Sequence, residues 1–112
     1  MSQSISLLAL SIASAGAIVA NRFVTPAGAQ AGAAANTLGV ARTAANGAGE
    51  TIPVDVLGTT VVEAAGVIAR GGAIETNADG KAVAQSAGPT VARALTAAAA
   101  DGDLIEALLI TN

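Results

Sequence analysis

Leu38-Gly39-Val40-Ala41-Arg42, the small-residue segment Thr43-Ala44-Ala45-Asn46-Gly47-Ala48-Gly49-Glu50, and Thr51-Ile52-Pro53-Val54-Asp55-Val56-Leu57 make up the stretch that decides the fold, because the chain contains its plan twice. Near the C-terminus, Thr90-Val91-Ala92-Arg93 is followed by a second small-residue segment ending Asp101-Gly102-Asp103, and then by Leu104-Ile105-Glu106-Ala107-Leu108-Leu109-Ile110. The two Val-Ala-Arg triplets stand 51 positions apart. Upstream, Gly16-Ala17-Ile18-Val19-Ala20-Asn21-Arg22-Phe23-Val24-Thr25 is echoed by Gly66-Val67-Ile68-Ala69-Arg70-Gly71-Gly72-Ala73-Ile74-Glu75-Thr76. Both pass from an apolar pair through a polar bend to a short strand. A unit of about 50 residues that recurs once predicts two related halves closing on one core.

Local patterns within the repeat are those of strands. Ile52, Val54 and Val56 alternate with Pro53, Asp55 and Leu57, the two-residue period of a strand. Pro53 has no N–H to donate, which places it at an edge or a bulge. Residues 37–42 and 51–57 predict a hairpin around Asn46-Gly47. Gly58 breaks the run, and the β-branched segment 59–63 reads as another strand. Residues 73–76 and 82–85 flank the turn Asn77-Ala78-Asp79-Gly80 and predict a second hairpin. Segment 17–25 reads as a strand bent at Asn21-Arg22, because Ile18 and Phe23 are an odd number of positions apart. The Ala/Gly-rich segment 27–36 reads as a loop or a poorly packed strand. Residues 91–100 have high helix propensity, but the first copy carries Asn46-Gly47 at the corresponding place. The repeat therefore predicts a strand over 91–95, a loop or one helical turn over 96–103, and a buried closing strand over 104–110. The fold class is all-β.

From Ser4 to Ala20 the chain is uncharged and apolar, through Ile5, Leu7, Leu8, Leu10 and Ile12. The reading favoured is an extended arm or first strand, with residues 1–14 as the arm and 15–112 as one domain. A signal peptide cleaved near Ala13-Ser14-Ala15 is the alternative, but no basic residue precedes the apolar run. The run is also too short and too rich in Ser, Ala and Gly for a membrane span.

Composition narrows the function. In 112 residues, 53% are hydrophobic, yet there is one Phe and no Trp or Tyr. A core of small side chains gains from a partner or an oligomer. The net charge of −3, with five Lys plus Arg, is poor material for neutralising phosphates and argues against nucleic acid. Without Cys or His, disulfides, thiolate metal sites and the commonest general base are excluded. Asp101-Gly102-Asp103 lacks the further spaced oxygens of a calcium loop. Asp55 and Glu106 stand at matching places in the two triplet-aligned copies, as do Arg42 and Arg93. A carboxylate pair could do acid–base work; structural charge pairs with the arginines are the stronger reading. The Gly28–Gly39 stretch lacks the ending of a phosphate loop. No enzyme, metal or cofactor is expected.

At Gly39-Val40-Ala41-Arg42, Val54-Asp55-Val56-Leu57-Gly58, Gly80-Lys81-Ala82-Val83 and Gly102–Ile110, the chain resembles the capsid cement, or head decoration, proteins of tailed bacteriophages. Its Ala/Gly-rich, cysteine-free, aromatic-poor character fits that resemblance, which spans residues 15–112. The resemblance implies a small β-barrel-like domain on the outer surface of the virion capsid. It implies a homotrimer that binds the major capsid protein and stabilises the expanded head, with no catalytic residues. The apolar residues Ile5, Leu7, Leu8, Leu10 and Ile12 are the expected contacts with capsid or neighbouring protomer, the arm adding as a strand to a neighbour's sheet edge. The alternative is a secreted or periplasmic β-domain with a signal peptide.

Overall fold

The computed structural model describes residues 5–112; Met1 to Ser4 of the expected arm lie outside the described residues. Eight strands and no helix are present among them: β1 (Ser6–Ala13), β2 (Phe23–Val24), β3 (Gly39–Ala41), β4 (Thr51–Glu63), β5 (Ala73–Thr76), β6 (Ala82–Ala84), β7 (Ala92–Ala94) and β8 (Leu104–Leu109). They pair in the order β2-β3-β4-β8-β7-β5-β6, with β1 added antiparallel to β4, and curl into a nearly closed barrel.

The long strand β4 is the hinge of the duplication. Its residues 51–58 pair with β1, and residues 59–63 pair with β8. It therefore closes the first half and opens the second. The change of partner falls at Gly58, which does not break the strand as the sequence suggested. Gly58 has φ 99°, and a Cβ there would strike the Ile5 carbonyl and the Leu7 amide nitrogen. Only glycine accepts both constraints.

The repeat is visible bond by bond. Ile18 and Ala45 exchange main-chain hydrogen bonds, as do Ile68 and Ala98. Asn21 N–H donates to the Ala41 carbonyl, and Gly71 N–H to that of Ala94. Asn21 and Gly71 share a left-handed backbone, at φ 64° and 82°, a conformation Asn and Gly tolerate best. Glu50 Oε2 accepts from Asn46 and Gly47 N–H, and Asp103 Oδ2 from Ala99 and Ala100 N–H.

These pairs correct the alignment of the sequence reading. Counterparts are 50 apart up to β2 and β5, then 53 apart from β3 and β7 onward. Three extra residues enter the second half where the β5–β6 hairpin is built. The two Val-Ala-Arg triplets thus lie two residues out of register: Arg42 corresponds to Leu95, Val40 to Arg93, and Asp55 to Leu108. Glu106 corresponds to Pro53. Short runs of Ala and Val match by composition, and only the ladder fixes the true register.

Other elements follow the sequence more closely. The β3–β4 hairpin forms, but around the wide loop 42–50 pinned by Ile18 and Ala45 rather than a tight turn at Asn46-Gly47. The β5–β6 hairpin is closed by Asn77 Oδ1, which accepts from Asp79 and Lys81 N–H. β8 is buried on one face only: Ile105, Ala107 and Leu109 are inside, while Leu104 and Leu108 are exposed.

Each half has its own apolar cluster. Ile18, Val24, Ala41, Ala45, Ile52 and Val54 form the first. Their counterparts Ile68, Ile74, Ala94, Ala98, Ile105 and Ala107 lie in the second, which also takes in Phe23, Ala31 and Val40 from the first half. Main-chain bonds from Glu63 to Asn21, Phe23 to Gly80 and Ala34 to Thr76 stitch the halves together.

Candidate functional site

The polar side chains are engaged in holding the fold. Asp55, only 1% exposed, accepts a hydrogen bond from Thr60 Oγ1 at 3.0 Å. Its other oxygen lies 3.1 Å from Arg42 Nε, an ion-pair contact rather than an aligned hydrogen bond. Asp55 is therefore a buried residue of β4. Arg22 and Lys81 both pair with Glu63, at 3.2 and 3.4 Å, and Lys81 also reaches Asp101 at 3.0 Å. The hydrogen bond to Asp101 and the nearby Glu63 raise the Lys81 ammonium above its ordinary 10.5. The Ser86 backbone N–H and then its hydroxyl donate to Glu75, holding its carboxyl below the ordinary 4.5. A carboxylate stabilised this way is a loop clamp, because the charged form is the one the donors favour.

Arg93 and Glu106 line an open groove of about 590 Å³ together with Arg70. No ion pair joins Arg93 to Glu106 among the described residues; Arg93 Nη1 donates to the Gly71 carbonyl at 2.9 Å. Asp55 and Glu106 line different cavities. Asp103 and Asn77 spend their oxygens on backbone N–H groups, and no metal-holding cluster of carboxylates is found among the described residues.

Exposed apolar side chains gather on β1 and the residue just before it. Ile5, Leu7, Leu8 and Leu10 are all exposed, Leu7 most of all at 72%. β1 pairs with β4 along one edge, and among the described residues no strand pairs with its other edge. Ile12, at the far end of β1, is half-buried and packs on the first core cluster. Beside the strip lies a cleft of about 300 Å³ lined by Leu8, Leu10, Pro26, Leu38, Val56 and Leu57. The C-terminus forms part of its rim, where Asn112 Oδ1 accepts from Thr37 N–H at 2.7 Å. The sequence analysis places Leu38, Val56 and Leu57 in the first hairpin, not among the expected contacts. Only the pairing of β1 with β4 brings them next to Leu8 and Leu10.

Comparison with known proteins places this geometry. No curated protein matches the chain. Among solved structures, the chain is similar to the head fiber gp8.5 N base of bacteriophage phi29, with a TM-score of 0.76 at 18% identity over 92% of this chain and 95% of that one. At that identity the likeness is one of fold. The family described as phage cement protein matches residues 2–109, nearly the whole length. The chain thus belongs to the phage cement protein family.

Proposed function

We propose that this protein decorates the outside of the expanded phage head, where it binds the major capsid protein and stabilises contacts between neighbouring shell subunits. The carrying observation is the uncharged strip of Ile5, just before β1, and Leu7, Leu8 and Leu10 on it, exposed on a strand whose outer edge no strand pairs with among the described residues. Leaving such a strip in water costs free energy that contact with a partner recovers. The arm, residues 1–14, is the docking element, adding to the shell through main-chain bonds and apolar contact. Family membership and the fold shared with a phage head fiber base support the reading. A homotrimer is the arrangement proposed on the shell, each protomer contributing one arm. Many copies engaged at once turn individually weak contacts into strong total stabilisation.

Co-sedimentation of the purified protein with undecorated expanded shells tests this. Saturable binding at a fixed ratio to the major capsid protein is expected, with greater resistance of the decorated shells to heat. Shells that pellet without the protein at every concentration would end the proposal.

A further inference from the structure

The two halves sit head to tail, and their correspondence leads to the cleft beside β1. In the second half, Val62, Val91 and Leu109 are buried in the cluster that contains Phe23 and Val40 of the first half. Their counterparts in the first half are Ile12, Leu38 and Val56. The same ladder positions fix this correspondence: Leu38 N–H bonds to Val24 and Val91 N–H to Ile74. Yet Ile12, Leu38 and Val56 are only half-buried. Among the described residues, nothing packs on them as Phe23 and Val40 pack on the second half. With Leu8, Leu10 and Leu57 they surround the 300 Å³ cleft.

The opposite end of the stack differs. The positions of Phe23 and Val40 are taken in the second half by Ala73 and Arg93. Arg93 is exposed and bonds to the Gly71 carbonyl, the counterpart of the Asn21 carbonyl that receives Glu63 N–H between the halves. That end is capped with a small and a charged residue, as terminal repeats are. A second copy therefore has no apolar knob there to offer the cleft. The one aromatic residue of the chain, Phe23, is wholly buried.

We infer that the Leu8/Leu38/Val56/Leu57 cleft is a socket for a bulky apolar anchor, Phe-like and flanked by a β-branched residue, on a strand or loop of the shell protein. The anchor completes the first half as Phe23 and Val40 complete the second. The inference rests on shell binding and names the residues and partner chemistry that the strip alone leaves open.

The test uses the full-length protein and undecorated expanded shells. Leu8→Glu and Leu57→Glu, both at exposed positions, are compared with Leu108→Glu, exposed at the opposite end, and with Leu57→Met. Thermal unfolding checks that each folds, and light scattering gives each oligomeric state without shells. The socket variants are expected to weaken shell binding at least tenfold with unchanged oligomeric state, while Leu57→Met and Leu108→Glu bind as the native protein does. Native-like shell binding by both socket variants overturns the socket and leaves the decoration role standing. Loss of self-association by the socket variants, with shell binding retained per chain, makes the cleft an interface between copies and overturns the inference. Failure of the native protein to bind shells overturns both readings together.

Discussion

Asp55 is one of the residues at which the two halves diverge. It is buried between Thr60 and Arg42, whereas its counterpart Leu108 is 41% exposed. A buried carboxylate is tolerated only with partners, and removing it strands the groups it served. Asp55→Ala is expected to cost about 1–3 kcal/mol of unfolding free energy in urea, and Leu108→Ala about 0.5 kcal/mol or less. Glu75 carries the pH dependence. Its folded value lies below 4.5, so its contribution is complete above the unfolded value and is lost as pH falls through the folded one. Thermal melts taken below pH 4.5 should therefore show a shallower loss of stability for Glu75→Gln than for the native chain. Lys81 has the opposite sign. Its raised value makes its contribution complete below 10.5 and lost as pH climbs past it.

At the scale of elements, everything depends on β4 changing partners without ending. Gly58 permits this by a positive φ and by leaving room for the β1 backbone. Gly58→Ala should destabilise by more than about 1 kcal/mol, and the damage should be local. Hydrogen exchange is expected to quicken at Leu8 and Leu10 of β1, while amides of β7 and β8 keep most of their protection. Uniform quickening across both halves would mean that β1 and the second half open as one unit. The pairing of β1 along residues 51–58 also affects how the arm should be probed. Deleting residues 2–12 removes most of a paired strand, so substitutions at Leu7 or Leu8 isolate docking more cleanly.

Across the whole molecule, charge and shape are segregated. The ion pairs of Arg22, Glu63, Lys81 and Asp101 lie at the junction of the halves and at the second half's loops, and Arg42 pairs with the buried Asp55, while no charged side chain belongs to the β1 strip or lines its cleft. Docking through such a surface is apolar, and apolar contact is not screened by salt. Shell binding measured from low salt up to about 1 M, where the screening length falls to about 3 Å, should hold steady or strengthen. A steep loss over that range would point to the groove of Arg70 and Arg93 as the contact instead.

Several features of the protein were legible in its residues alone. The all-β class, the duplication, the β5–β6 turn at Asp79-Gly80 and the apolar N-terminal run all follow from short-range pattern, because alternation, turn chemistry and composition act between neighbours in the chain. The strand at residues 92–94 was read correctly against its helix propensity, since the repeat constrained it. What local pattern could not supply was register. Ala- and Val-rich strands look alike when slid by two positions, so the triplet match set Arg93 against Arg42 and Glu106 against Asp55, and the hydrogen-bond ladder alone shows that neither pair corresponds. Nor could it show the cleft, which exists because β1 lies beside residues about 45 positions away. Sequence determined which segments become strands and which of them are apolar. Tertiary structure decided which apolar faces the chain covers for itself, since that depends on long-range packing of one half against the other.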